Sequence, residues 1–170
     1  MFTLVIGGAA SGKSEFAEDI TINLPGQRIY LATMEPFDDE GRRRVEKHRQ
    51  QRQGKGFMTL EQYQNLSDLT IPQNSNLLLE CLGNLTANEL YASNGTGILG
   101  VLQGIESLLI KCAHLTVVTN EIFSGGDEYE GDTLSYMRAL GHINCVLAAQ
   151  ADLVVEVVCG LPNVLKGRLP

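Results

Sequence analysis

Apolar and polar positions alternate along the chain in blocks that change period. Thr3-Leu4-Val5-Ile6 is a short apolar run of strand length, and Gly12 to Asn23 carries a helical spacing that stops before Pro25-Gly26. Arg28 to Ala32 predicts a second short strand. The polar stretch Thr33 to Glu40 follows it, then a strongly charged helix from about Gly41 to Gln53, broken by Gly54-Lys55-Gly56. Leu77-Leu78-Leu79 and Leu115-Thr116-Val117-Val118-Thr119 are unbroken apolar runs, the pattern of strands covered on both faces, and they end in Glu80 and in Asn120-Glu121. Gly97 to Ala113 predicts a helix, Ser124 to Asp132 an acidic, Gly-rich loop, Thr133 to Ala149 a helix and Leu153 to Val158 a strand. Gly160-Leu161-Pro162-Asn163 reads as a turn before a short tail.

Strands alternating with helices predict an α/β fold with a mostly parallel sheet and helices on both faces, with ligands at the carboxyl ends of the strands. A length of 170 residues without repeat or linker predicts a single domain over 1–170. No apolar run approaches the roughly 18 residues of a membrane span. Met1 to Ile6 lacks a basic leader, so a cytoplasmic protein is expected. Cys81, Cys112, Cys145 and Cys159 are widely spaced, with no C-x-x-C pair, and are expected to be buried reduced thiols. A net charge of −7 argues against nucleic acid as partner. That total conceals an asymmetry, because seven of the 13 Lys and Arg residues fall between Arg42 and Lys55.

Chemistry enters at the first strand. Gly7-Gly8-Ala9-Ala10-Ser11-Gly12-Lys13-Ser14 fulfils G-x-x-x-x-G-K-[ST] at each fixed position, between a predicted strand and a predicted helix. Such a loop turns backbone N–H groups around phosphate oxygens at a helix N-terminus. Lys13 is expected on the β- and γ-phosphates of a nucleoside triphosphate and Ser14 on Mg²⁺. A carboxylate at the end of another strand commonly completes the metal site. Glu80 is favoured for it and Glu121 is the alternative. On the basic helix, Arg44, His48 and Arg52 are spaced four apart and share a face. An imidazole between two guanidinium groups pairs a nucleophile with cations for triphosphate oxygens, which suits a histidine that carries a nucleotidyl group. A solvated charged face is the competing reading. His114, before a strand, and His142, within an apolar helix, are expected to be structural.

Taken together, these stretches resemble the bifunctional adenosylcobinamide kinase/adenosylcobinamide-phosphate guanylyltransferase family over nearly the whole chain. The carriers are the loop at 7 to 14, Tyr30-Leu31-Ala32-Thr33, Asp38-Asp39-Glu40 with Arg44-Val45 and His48, and Phe57-Met58-Thr59-Leu60-Glu61. Leu78-Leu79-Glu80-Cys81-Leu82, Val118-Thr119-Asn120-Glu121, and Gly141 with Asn144 complete them. The resemblance implies a RecA-like P-loop fold and a trimeric assembly. It also implies phosphorylation of adenosylcobinamide, with GTP or ATP as donor, followed by GMP transfer from GTP through a guanylylated His48. Arg44, Arg52, Glu61 and Glu80 are expected to join the loop in binding nucleotide, and the resemblance implies a small corrinoid as partner. The chain departs from the family pattern after Glu121, where Ile122 to Glu130 and Tyr136-Met137-Arg138 replace an I-V-P stretch and an R-x-F-R-D motif. A P-loop kinase without nucleotidyl transfer and a nucleotide-binding regulatory module are the alternatives.

Overall fold

A computed structural model describes residues 1–36, 39–125 and 129–169, apart from the side chains of Arg44, Lys47 and Gln51. The chain runs β1 (Phe2–Gly7), α1 (Lys13–Ile22), β2 (Arg28–Ala32), α2 (Asp39–Gln51), β3 (Phe57–Glu61), β4 (Asn76–Glu80) and α3 (Leu82–Tyr91). It continues through α4 (Gly97–Lys111), β5 (His114–Asn120), α5 (Gly131–Gln150), β6 (Leu153–Val158) and β7 (Leu161–Lys166). One seven-stranded sheet has the order β3-β2-β4-β5-β1-β6-β7. Every pairing is parallel except β6 with β7.

Strand side chains alternate between two apolar layers, as the two-residue period requires. Phe2, Leu4, Leu77, Leu79, Leu115 and Val117 face one layer, shared with Leu82 and Leu85 of α3, Ile105 and Leu108 of α4, and Leu140 and Ile143 of α5. Val5, Tyr30, Leu78, Val118 and Val155 face the other, against Ala17 and Phe16 of α1. The predicted α/β sheet with helices on both faces is therefore the fold, with three helices on one side and α1 on the other. Among the described residues, no helix is long and apolar enough to cross a membrane.

Three readings of the sequence change. The tail after Val158 is a strand: Cys159 (φ 52°) and Gly160 (φ 77°) form a tight hairpin that folds β7 antiparallel onto β6. Both positions are left-handed, the requirement of a type I′ turn, but Cys stands where Asn or Asp would have advertised one, and Pro162 disguises the strand. α3 was missed because Gly83, Asn84, Thr86 and Asn88 have weak helix propensity; packing against β5, α4 and α5 holds it. Cys145 and Cys159 are exposed and Cys81 and Cys112 half-buried, so the thiols are free but not buried as expected. Cys145 rides the outer side of α5 and Cys159 the hairpin tip. The acidic loop falls partly on residues 126–128, outside the described residues, and its Gly131 and Asp132 belong to the first turn of α5.

Candidate active site

The carboxyl ends of β1, β2, β4 and β5 lie at one edge of the sheet, with Gly7 opposite Asn120 and Ala32 opposite Glu80. The loop from Gly7 to Gly12 leaves β1 there and delivers Lys13 and Ser14 into the first turn of α1. Ala10 (φ 55°) and Gly12 (φ 89°) take left-handed conformations that turn successive amides inward. A side chain on Gly7 would strike Ser11 Oγ and stand 2.7 Å from the Val157 carbonyl, and one on Gly12 would stand 3.0 Å from Gly160 Cα. The β6–β7 turn buttresses the loop directly, because the Gly160 amide donates to the Ser11 carbonyl at 2.8 Å. Lys13 Nζ donates to the Gly8 carbonyl at 3.1 Å, folded back over its own loop.

Opposite the loop, Ser14 Oγ donates to Glu80 Oε1 in a short hydrogen bond, and Tyr30 Oη donates to Oε2 at 3.1 Å. Glu80 thus engages the P-loop serine. Glu121 does not join it: its Oε1 accepts the amides of Phe123 at 2.8 Å and Ser124 at 3.1 Å, capping its own turn. Burial first, and the Glu80 charge second, hold the Tyr30 phenol far above the ordinary tyrosine range, so it remains a donor. Cys81, next in the chain, has a thiol raised chiefly by burial.

Helix α2 closes the cleft. Val45, His48 and Arg52 line it together with Ala9, Lys13, Ser14, Tyr30 and Glu80 around a cavity of about 770 Å³. His48 is half-buried and shares this space with the loop, whereas Arg49 turns outward towards Glu61 at 3.4 Å. Arg52 is only 7% exposed, and its guanidinium carbon lies 3.4 Å above the centroid of the Tyr30 ring. Just past the helix, Lys55 pairs with the buried Glu18 of α1 at 2.5 Å, which raises the lysine pKa chiefly through that hydrogen bond. The Arg44 side chain and Asp38 lie outside the described residues. Glu61 ends β3 outside the cleft lining, engaged by Arg49 and by the Tyr63 hydroxyl at 3.0 Å.

Sequence reasoning passed over three contributors. Tyr30 and Asn120 were read only as parts of longer stretches, and Lys55 looked like a helix breaker's neighbour; Asn84 lines the cleft from the start of the missed α3. Of the other histidines, His114 starts β5 at the opposite edge of the sheet, its pKa lowered by burial and the N-terminal charge. His142 is exposed on α5 rather than packed within it.

Known proteins carry the same pattern. A solved ATPase domain superposes with a TM-score of 0.52 at 13% identity, covering 91% of this chain and 68% of that one. A Pyrococcus horikoshii protein superposes with a TM-score of 0.55 at 11% identity, covering 98% and 86%. At such identities the likeness concerns the fold alone, a RecA-like α/β sheet with helices on both faces. In sequence, the bifunctional adenosylcobalamin biosynthesis protein CobU of Escherichia coli (strain K12) is 34% identical, over 95% of this chain and 97% of its own length. CobP of Pseudomonas aeruginosa, a protein of the same description, is 29% identical over 99% of each chain. The sequence profile of one family, described as cobinamide kinase / cobinamide phosphate guanyltransferase, matches residues 3–165. A match of that extent, on a P-loop made for a nucleoside triphosphate, means that the chain belongs to the cobinamide kinase / cobinamide phosphate guanyltransferase family.

Proposed function

We propose that this protein is a bifunctional enzyme of cobalamin biosynthesis that phosphorylates the hydroxyl of adenosylcobinamide and then transfers GMP from GTP onto the new phosphate. The observation that carries the reading is the meeting of His48 with Lys13, Ser14 and Glu80 in one cleft. In the first reaction the substrate hydroxyl attacks the γ-phosphorus of the donor, GTP or ATP, and the nucleoside diphosphate leaves. The loop amides cradle the phosphates, and Lys13 exchanges the Gly8 carbonyl for their oxygens.

In the second reaction an imidazole nitrogen of His48 attacks the α-phosphorus of GTP and pyrophosphate departs. The phosphate of the corrinoid then attacks the histidine-bound GMP, freeing the imidazole and forming a diphosphate bridge. Arg44 and Arg52 are proposed to steady the triphosphate, and Glu61 to serve the nucleotide at the mouth of α2.

Ser14 and Glu80 fit Mg²⁺: a hydroxyl and a carboxylate already in hydrogen-bond contact beside the phosphate loop are hard oxygen donors. When bound, the ion neutralises charge on the phosphate oxygens. No cluster of three or more His, Cys, Asp or Glu side chains suited to a metal occurs among the described residues, in keeping with an ion held largely by substrate phosphates and water. The proposal extends to a single nucleotide-binding domain over 1–170, working in the cytoplasm as a homotrimer on a small molecule rather than on nucleic acid.

GTP labelled at the α-phosphate tests it. Wild type should acquire an acid-labile, base-stable covalent label that is absent from His48→Ala. Transfer of γ-label to the corrinoid with no α-label on the protein would select a kinase without nucleotidyl transfer.

A further inference from the structure

Tyr30 lies beneath two functional groups at once. It is 3% exposed on β2, on the sheet face that carries α1, with its ring edge-on to Phe57 at a centroid distance of 6.3 Å and 80° between planes. Its hydroxyl donates to Glu80 Oε2, the oxygen that Ser14 does not use. A carboxylate turns easily about its last bond, so a donor on each oxygen fixes which lone pairs face the loop.

The face of the same ring supports Arg52. Among the described residues, Nε and Nη1 of that buried guanidinium have no hydrogen-bond partner, and the ring is what seats the arginine. Arg52, the first residue past α2, follows His48 by one turn, its amide donating to the His48 carbonyl at 3.2 Å; Val45 is the only aliphatic residue in the sequence of that helix. With little apolar surface on this helix, the seat of Arg52 is one attachment of the segment bearing His48.

We infer that Tyr30 is a positioning residue with two separable tasks: its hydroxyl orients Glu80 towards the metal and phosphates, and its ring seats Arg52 and so holds His48 against the P-loop. The inference rests on the roles given above to Ser14, Glu80 and His48. Two variants divide the tasks, since Tyr30→Phe keeps the ring and loses the hydroxyl, while Tyr30→Leu loses both.

The affinity for a GTP analogue that resists cleavage between its α- and β-phosphates is measured with and without Mg²⁺. The rate of α-label transfer onto the protein is measured separately at saturating Mg²⁺. Tyr30→Phe should cut the gain in affinity brought by Mg²⁺ by roughly tenfold, as loss of a group behind a metal ligand does, and leave Mg²⁺-free affinity unaltered. At saturating Mg²⁺ it should label within about threefold of wild type, whereas Tyr30→Leu labels roughly tenfold more slowly, the size expected for a lost cation–π seat.

A Mg²⁺ gain in Tyr30→Phe equal to that of wild type overturns the hydroxyl's task, and so does an equal fall in affinity with and without the ion. Labelling of Tyr30→Phe as slow as that of Tyr30→Leu overturns the ring's. If wild type itself takes no label, the guanylyl reading and the ring's task fall together, and the Mg²⁺ comparison alone decides for the hydroxyl.

Discussion

The ends of β4 and β5 look alike in sequence and act differently in space. Each closes an apolar run with a carboxylate, Glu80 after three leucines and Glu121 after Val117-Val118-Thr119-Asn120. The register explains the split. Glu80 is level with Val118, and since neighbouring residues in a parallel pair point to the same face, Glu80, Val118 and Asn120 all look towards α1 and its loop. Glu121 has the opposite parity and lies one residue past the strand, where it caps the turn to Phe123 and Ser124. Asn120, not Glu121, is what β5 contributes to the cleft. A strand-end carboxylate becomes a candidate metal ligand by facing the phosphate loop, not by following a hydrophobic strand.

The largest expected effect tests that contrast directly. Glu80→Ala should lower transfer of the γ-phosphate by on the order of 10²-fold or more, the usual loss when a group that stabilises phosphate charge is removed. Glu121→Ala should stay within about threefold in the same assay. Its cost is conformational, roughly 1–2 kcal/mol for two backbone bonds to a carboxylate, read as a lower melting temperature. Comparable losses of activity in the two variants would break the distinction.

A smaller effect is expected where the two regions touch. Gly83, at the start of α3 just beyond β4, has space on its Cα side occupied by Tyr136 Oη at 2.9 Å and Asn120 Nδ2 at 3.1 Å from where a Cβ would sit. Tyr136 also donates to the Gly83 carbonyl at 3.3 Å, and burial pushes its phenol up to about 12, so it stays a neutral donor at physiological pH. Gly83→Ala should push α3 away from β5 and α5 and destabilise the protein by about 1–2 kcal/mol, the scale of modest overpacking. Calorimetry checks this, and the nucleotide should restore part of the loss, by an amount that grows with the logarithm of its concentration above Kd. An unchanged melting temperature would mean that Tyr136 gives way freely and that the two strand ends are not coupled at this glycine.

The parts of the molecule legible in the sequence are those whose signal is local. The P-loop announces itself because four fixed residues and their strand–helix setting are contiguous, and the buried strands announce themselves as apolar runs. Register is not local. Nothing in Leu79-Glu80 or Asn120-Glu121 says which residues stand level, so the choice between the two carboxylates could be only a preference before the strands were paired. His48 was singled out through its spacing from Arg44 and Arg52, which says nothing of what seats Arg52. Arg52 is buried flat on Tyr30, an arrangement that depends on a strand twenty-two residues earlier in the chain. The hairpin behind the loop was hidden for the reverse reason: its local signal, Cys159-Gly160, is an uncommon way of writing a left-handed pair.

Cysteine chemistry provides the smallest and most local probe of the β4 end. Cys81 follows Glu80, lines the cleft and is half-buried, with its thiol raised above the ordinary value chiefly by desolvation. The thiolate is the reactive form, so at neutral pH Cys81 should be alkylated by iodoacetamide more slowly than the exposed Cys145 and Cys159. Because its titration is displaced upward, its rate should still climb by about tenfold per pH unit through pH 8. Peptide mapping after timed quenching separates the sites. A nucleotide seated on the loop covers the mouth of the cleft and should slow Cys81 several-fold further, leaving Cys145 on the outside of α5 unchanged. Protection of neither would mean that the bound nucleotide does not reach the end of β4, and equal protection of Cys145 would mean that the slowing is global; in either case the contrast between Glu80 and Glu121 would lose this chemical support.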